Sequence, residues 1–278
     1  MQQKVREFPF TRRDFDYLRK VSNERTGIVV GDDKFDMFYS RLSRRVRRLG
    51  LRSFAEYCDL IRNETRDDEV LELVNAITTN LTAFFRENHH FDYLAATVLP
   101  ELMRRNAATR RIRIWSAGCS TGEEPYSLAI TLRENLPQGW DGRILATDID
   151  TSVLERAAAA VYPVERVKGI PMTRLKRWFL RGRNTRSGMV RPKPEIRRLV
   201  RFEQLNLMQP WSLEEPMDVI FCRNVIIYFD KETKRRLVDR YADSLHPHGY
   251  LFIGHSESLF KLTDRFQLIG NTVYRRQE

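Results

Sequence analysis

The chain has 278 residues, 42% hydrophobic and 31% charged, which describes a globular protein with room for one sizeable core or two smaller ones and excludes a disordered chain. Its 48 Lys and Arg against 37 Asp and Glu give a formal net charge of +11, which implies an acidic partner without choosing among nucleic acid, membrane surface and protein. No apolar run approaches the roughly 20 residues needed to cross a bilayer, and the start, MQQKVREFPF, lacks the apolar core of an export signal.

Up to about Glu87 the pattern is helical. Thr11 with Asp14 caps a first helix carrying Phe15, Leu18 and Val21 on one face. The breaks at Gly27 and Gly31 end it. In the next helix, YSRLSRRVRRLG, Tyr39, Leu42, Val46 and Leu49 form an apolar stripe and Gly50 closes the helix. Arg41, Arg44 and Arg48 fall on the opposite side with Arg45 and Arg47 flanking. Five arginines in eight residues, with no acid between them, make a docking face for an acidic partner the expectation, against the plainer reading of a solvated basic face. Two more helices follow, from Phe54 to Arg62 and after Asp67-Asp68-Glu69. A soft domain boundary is expected near residues 85 to 90, giving a helical domain over 1–87 and a second domain over 88–278.

From Arg111 the pattern becomes α/β. RIRIWSAGCSTGEEPYSLAITL reads as a strand, a small-residue turn and a helix, the arrangement of a nucleotide-type pocket at the carboxyl end of a parallel strand. Only Gly118 and Gly122 are present, so this is not G-x-G-x-x-G. Glu123 and Glu124 stand where a phosphate would bind, at the positive end of the helix, and would repel it. A cationic nucleoside without phosphate fits better, and S-adenosylmethionine is one. The expectation is that one of the two glutamates faces the ligand and the other caps the helix. A second strand, Arg143 to Thr147, ends at Asp148, about 30 residues past the glycine turn, where an acid accepts hydrogen bonds from ribose hydroxyls. Asp150 is the alternative helix cap.

Residues 162–205 are rich in Arg, Lys, Pro and Gly. Two β-prone pieces, Gly188 to Arg191 and Arg198 to Phe202, predict a small antiparallel insertion, with Arg181, Arg183 and Arg186 crowding its loop. Such an edge suits strand addition by an extended acidic peptide; a bare basic hairpin is the competing reading. Met217 to Cys222 is the next strand, then a helix from Lys231 to Leu245, a turn at His246-Pro247-His248-Gly249, the strand YLFIG, and an antiparallel pair turning at Gly270-Asn271. Cys58, Cys119 and Cys222 show no C-x-x-C spacing, and the histidines form neither H-E-x-x-H nor a Cys/His cluster, so no metal site is expected and a reducing cytoplasm is the expected compartment.

Taken together, TTNLTAFFRENHHF, WSAGCSTGEEPYSLA, ATDID, FCRNVIIYFD and LFIGHSES resemble, in order, the chemotaxis protein methyltransferases known as CheR, which methylate chemoreceptor glutamates. The resemblance implies a Rossmann-like S-adenosylmethionine methyltransferase sheet of α/β class with an antiparallel C-terminal strand, a small inserted antiparallel β-subdomain and an all-helical N-terminal domain. It implies a receptor-glutamate O-methyltransferase with S-adenosylmethionine as cofactor, cytoplasmic, monomeric and recruited to receptor arrays. Carried over by position, Asn80, Thr82 and Arg86 reach the cofactor site, Gly118 and Glu123 line it, Asp148 takes the ribose, Asn206 and Leu207 flank the adenine, and Arg223 with Asn224 closes it. Arg86 and Tyr228 are the candidate catalytic residues, Tyr228 orienting the acceptor by its hydroxyl; a core aromatic is the plainer reading of Tyr228. The family's arginine-rich helix approaches the receptor's acidic methylation region, here through Arg41, Arg44, Arg45 and Arg48, and some members tether a receptor C-terminal peptide at the β-subdomain.

A nucleic-acid methyltransferase is the rival, weakened because Arg223-Asn224-Val225-Ile226 lacks the Asn/Asp-Pro-Pro-aromatic motif of base-amine methylation and because the basic residues are not interleaved with aromatics. A non-catalytic S-adenosylmethionine sensor is the other alternative; its function would survive Tyr228→Phe and Arg86→Ala.

Overall fold

The computed structural model describes residues 6–63 and 67–278. Its contacts fall into two compact units, one of residues 1–79 with Tyr228–Thr233, the other of Asn80–Ile227 with Lys234–Glu278.

The first unit is helical: α1 (Arg12–Thr26), α2 (Phe35–Arg48), α3 (Phe54–Arg62) and α4 (Asp67–Ile77). Thr11 and Asp14 form a reciprocal capping box on α1, and Gly27 ends it in the left-handed conformation, as the sequence leads one to expect. Phe15, Leu18, Phe38, Leu42, Val46, Phe54, Tyr57 and Leu73 make the core. The basic face of α2 is largely spent inside this unit. Arg41 donates to the Ile77 and Thr78 carbonyls at 2.8 and 2.6 Å, closing the carbonyl end of α4. Arg45 makes a bidentate pair with Glu69, whose side chain is 3% exposed, and also reaches Glu72. Arg47 pairs with Glu7 and Arg48 with Glu72. Arg44 is exposed and makes no hydrogen bond or ion pair with any described residue. The acids missing between these arginines come from α4 and from the segment before α1, so Arg41 and Arg45 are structural residues as well as basic ones.

The second unit opens with residues 80–87, which the sequence reading assigned to the helical domain. They pack here: Phe84 lies edge-on to Tyr162 and Phe179, and the Phe85 N–H donates to Ser127. Then come α5 (His89–Tyr93), a π-helical turn (Leu94–Val98), α6 (Leu99–Arg105), β1 (Arg111–Ala117), α7 (Glu123–Asn135), β2 (Asp141–Asp148) and α8 (Thr151–Ala159). They are followed by β3 (Tyr162–Pro163), α9 (Met172–Trp178), β4 (Phe179–Arg181), β5 (Met189–Pro192), α10 (Pro194–Arg197), β6 (Val200–Gln204), β7 (Met217–Cys222), α11 (Lys231–Ser244), β8 (Leu245–Ile253), β9 (Phe266–Gly270) and β10 (Val273–Arg276).

The main sheet has the order β6-β2-β1-β7-β8-β10-β9, parallel from β6 through β8 and antiparallel at β10 and β9. The chain leaves β1 for β2 on one side and returns to β7 on the other, so the strand order reverses at β1. In open α/β sheets that reversal opens a crevice at the strands' carboxyl ends. A separate antiparallel sheet, β3-β5-β4, is the inserted subdomain. One expectation fails here. Arg198 to Phe202 is not part of that insertion; Val200–Gln204 is the parallel edge strand of the main sheet, in register with Ile144–Asp148. A short half-buried strand has the same pattern in either sheet, and only tertiary pairing chooses. The expected turn at 246–249 is likewise the irregular start of β8, with a register shift against β7 and His248 at φ 59°. Cys58, Cys119 and Cys222 are buried free thiols. Among the described residues no helix is long and apolar enough to cross a membrane.

Candidate active site

The turn after β1 lies at the strand-order reversal. Gly118 and Gly122 sit at φ 90° and 95°, a conformation that glycine adopts without strain. The Gly118 and Cys119 N–H groups donate to the Thr147 carbonyl at 2.8 and 2.9 Å, tying the turn to the end of β2. A Cβ on Gly118 would overlap the Val225 side chain, so the backbone comes close to the turn that follows β7.

Asp148 ends β2 as the sequence predicts. Its Oδ2 accepts the Ser120 N–H at 2.8 Å and its Oδ1 the Asp150 N–H at 3.0 Å. Burial raises its pKa to about 6 despite these two donors. Asp150 caps α8 through the Ser152 and Val153 N–H groups and takes the Asn80 amide at 2.8 Å. The Leu205 N–H donates to the Asp148 carbonyl, which anchors Asn206 and Leu207 to the same strand end.

The two glutamates at the start of α7 depart from expectation. Gly122 is the N-cap and no side chain caps the helix, so Glu124 does not play that role. Instead the Ser116 hydroxyl donates to it, and Arg223 pairs with it at 3.1 Å; burial raises its pKa, partly offset by Arg223. Glu123, 1% exposed, receives the Thr121 hydroxyl and a two-nitrogen grip from Arg166, Nε at 3.0 Å. Each carboxylate thus has its own guanidinium. The sequence-level reason for preferring a cationic ligand, two unopposed negative charges, does not survive; what remains acidic is the Asp148–Asp150 pair at the end of β2.

Arg166 also donates to the Thr82 carbonyl at 2.8 Å, so one side chain from the insertion holds two candidate cofactor residues. Arg86 reaches the Leu81 carbonyl through Nη1, and its own carbonyl accepts from Arg223. Arg223, 6% exposed, further pairs with Glu87 at 3.1 Å. Asn224 is left-handed at φ 59°, and its N–H donates to Glu257 at 2.8 Å. Glu257 also accepts from Gly254 and Ile227, binding the turn after β7 to the end of β8. Arg240 of α11 donates to the Leu207 carbonyl at 2.7 Å and stacks over Trp211. Sequence reasoning missed Arg166, Arg240 and Glu257. Only Glu257 carried a signal, its place in LFIGHSES. Asn80, Thr82, Arg86, Gly118, Glu123, Asp148, Asn206, Leu207, Arg223 and Asn224 all belong to the second unit and are linked by these bonds. Tyr228 belongs to the first unit, where its carbonyl accepts the Val29 N–H at 2.8 Å.

Two family models match and between them cover nearly the whole chain: the CheR methyltransferase all-alpha domain over residues 13–78 and the CheR methyltransferase SAM binding domain over residues 80–275. The chain belongs to the CheR methyltransferase family. "Chemotaxis protein methyltransferase 2" of Pseudomonas aeruginosa is 48% identical over 271 residues, covering 96% of this chain and 94% of that one. The "Chemotaxis protein methyltransferase" of Escherichia coli is 44% identical over 265 residues, covering 93% and 90%. Among solved structures, the N-methyltransferase NodS of Bradyrhizobium japonicum with S-adenosyl-L-homocysteine is similar at 16% identity and a TM-score of 0.37, over 69% of this chain and 88% of that one.

This CheR chain is an S-adenosylmethionine-dependent methyltransferase. Its residues fit that cofactor. Asp148 is a buried acceptor at the end of the second strand, and the Asn206–Leu207 backbone is fixed beside it.

Proposed function

We propose that the chain methylates glutamate carboxylates of chemoreceptors, forming methyl esters for sensory adaptation, in the cytoplasm and at receptor arrays. The observation that carries the reading is the match to chemotaxis protein methyltransferases over both units.

S-adenosylmethionine, when bound, supplies a methyl group on a sulfonium. A glutamate acceptor, with an ordinary pKa near ~4.3, is already an anion at neutral pH and brings its own lone pair. The chain's residues therefore have to bind, orient and exclude water, work that is worth on the order of 7–11 kcal/mol when reacting atoms are aligned. In this reading Asp148 accepts from the ribose hydroxyls, Asn206 and Leu207 flank the adenine, and Gly118, Glu123, Asn80 and Thr82 line the cofactor. Arg86, Arg223 and Asn224 close the site, and the Tyr228 hydroxyl orients the acceptor. Arg44 and Arg48, exposed on α2, meet the acidic methylation region of the receptor, with Arg41 and Arg45 holding the helix that presents them. An acidic C-terminal receptor peptide adds along β4, the edge strand of the small sheet, beside the exposed Leu180 and the Arg181, Arg183 and Arg186 side chains.

The test is incubation with methyl-labelled S-adenosylmethionine and receptor-bearing membranes, followed by base. Carboxyl methyl esters release volatile methanol and methylated nucleobases do not; a protein that leaves no base-labile label on any receptor is not a receptor methylase.

A further inference from the structure

Glu87, His89 and His90 bring a carboxylate oxygen and two ring nitrogens within 4.8 Å of one another, a grouping that sequence spacing had not marked as a metal site. His90 is fully buried. Its Nε2 lies 2.8 Å from the Asn271 carbonyl, an atom that can only accept, so Nε2 carries the ring proton and Nδ1 is left a bare acceptor. Nδ1 has no hydrogen-bond partner among the described residues, and it faces Oε2 of Glu87 at 3.5 Å. Oε2 already takes the Arg223 guanidinium at 3.1 Å and the His255 N–H at 3.2 Å, so the unmet group is Nδ1, a buried acceptor that faces a carboxylate and has no donor of its own among the described residues.

We propose that Glu87, His89 and His90 form a binding site for a divalent transition-metal ion of the zinc class. One carboxylate and two imidazoles are the donors that ion takes, and three protein ligands leave a fourth position for water. Zinc holds N and O donors at ~2.0–2.1 Å, which in a tetrahedron sets them roughly 3.3–3.4 Å apart, close to the 3.5 Å between Nδ1 and Oε2. The second ring nitrogen of His90 donates to a backbone carbonyl, the outer-shell contact that fixes the tautomer of a metal-bound histidine. His255 takes the other Glu87 oxygen at 2.8 Å. The opposing charge is Arg223, 3.1 Å from Glu87, and Glu124 balances it from the far side of the guanidinium. An ion here draws on the carboxylate that holds Arg223, so it acts as a modulator of that residue and not as part of the chemistry. Binding of the ion is independent of which acceptor the enzyme methylates.

The test is titration of the metal-free full-length chain with zinc ion by calorimetry, with X-ray absorption at the zinc edge to identify the ligands. One ion per chain with mixed imidazole and oxygen ligation is expected. His89→Ala, which alters an exposed ring and spares the buried one, weakens binding at least tenfold, and Glu87→Gln does the same. The double variant His246→Ala/His248→Ala, at a different histidine pair, leaves it unchanged. No stoichiometric binding overturns the proposal, as does an affinity that His89→Ala leaves intact or that the His246/His248 variant abolishes.

Discussion

Removing Arg166 tests how the cofactor site is held. Glu123 is 1% exposed and its only cationic partner among the described residues is Arg166, whose side chain is 37% exposed. Taking one partner from a fully buried pair costs about 3–5 kcal/mol, and an exposed pair is worth about 0–1 kcal/mol. This pair is buried on one side and wet on the other, and the Thr121 hydroxyl remains to Glu123. Arg166→Ala is therefore expected to destabilise the sheet unit by about 2 kcal/mol, roughly 4–8 °C in melting temperature for a domain of this size. Urea unfolding of the variant gives the first number. A double-mutant cycle with Glu123→Gln is expected to return a coupling of about 1 kcal/mol or more. Because Arg166 also fixes the Thr82 carbonyl, S-adenosylhomocysteine affinity measured by calorimetry should fall in step. Arg166→Lys should recover only part of the loss, since one ammonium cannot reproduce the guanidinium fork. Stability within about 0.5 kcal/mol of wild type, with unchanged ligand affinity, would refute the brace.

Gly118→Ala places a Cβ at φ 90° and against Val225, costing about 1–2 kcal/mol in backbone strain and about 1–3 kcal/mol in overpacking; adding Val225→Ala should restore the second part and not the first, as read by thermal melts and S-adenosylhomocysteine binding. Asp148 has a folded pKa of about 6 against an ordinary 3.8. A raised carboxyl costs the ligand-free chain stability above its folded pKa, and that cost, about 3 kcal/mol, vanishes as pH falls through the window from 6 to 4. Ribose hydroxyls need the ionised form, so ligand affinity should drop about tenfold per unit below pH 6 and Asp148→Asn should flatten the profile; a wild-type affinity constant from pH 7 to 5 would exclude the ribose role. Arg45→Ala should destabilise the helical unit by about 3 kcal/mol by stranding buried Glu69. Arg44→Glu should leave stability within about 0.5 kcal/mol yet slow receptor methylation, most at low salt; equal methylation rates would remove Arg44 from the docking face.

Local chemistry announced much of this molecule. The Thr11–Asp14 box, the apolar stripe of α2, the strand-turn-helix at 111–132 and the acid at the end of β2 are each set by residues a few positions apart, and each appears where the pattern puts it. What stayed hidden depends on distant partners. Glu123 meets its arginine 43 residues away and Glu124 its arginine 99 away, so two carboxylates that look unopposed along the chain are neutralised in space. The arginines of α2 meet acids on α4 for the same reason. The strand Val200–Gln204 was visible as a strand, but choosing between two sheets required knowing that β2 presents a free edge beside it.

The return of Tyr228–Thr233 to the helical unit bears on how the protein is made. A chain emerging from the ribosome has all four helices of that unit by residue 77, yet the Val29 N–H waits about 200 residues for the Tyr228 carbonyl. Domains ordinarily fold as their own sequence appears, but this one is finished only after β7, from the middle of the second unit's main sheet, has been synthesised. Contacts of such separation are slow to close. Nascent chains released before residue 228 should therefore carry a helical unit more easily cut by protease near Val29 than the same residues in the full-length protein.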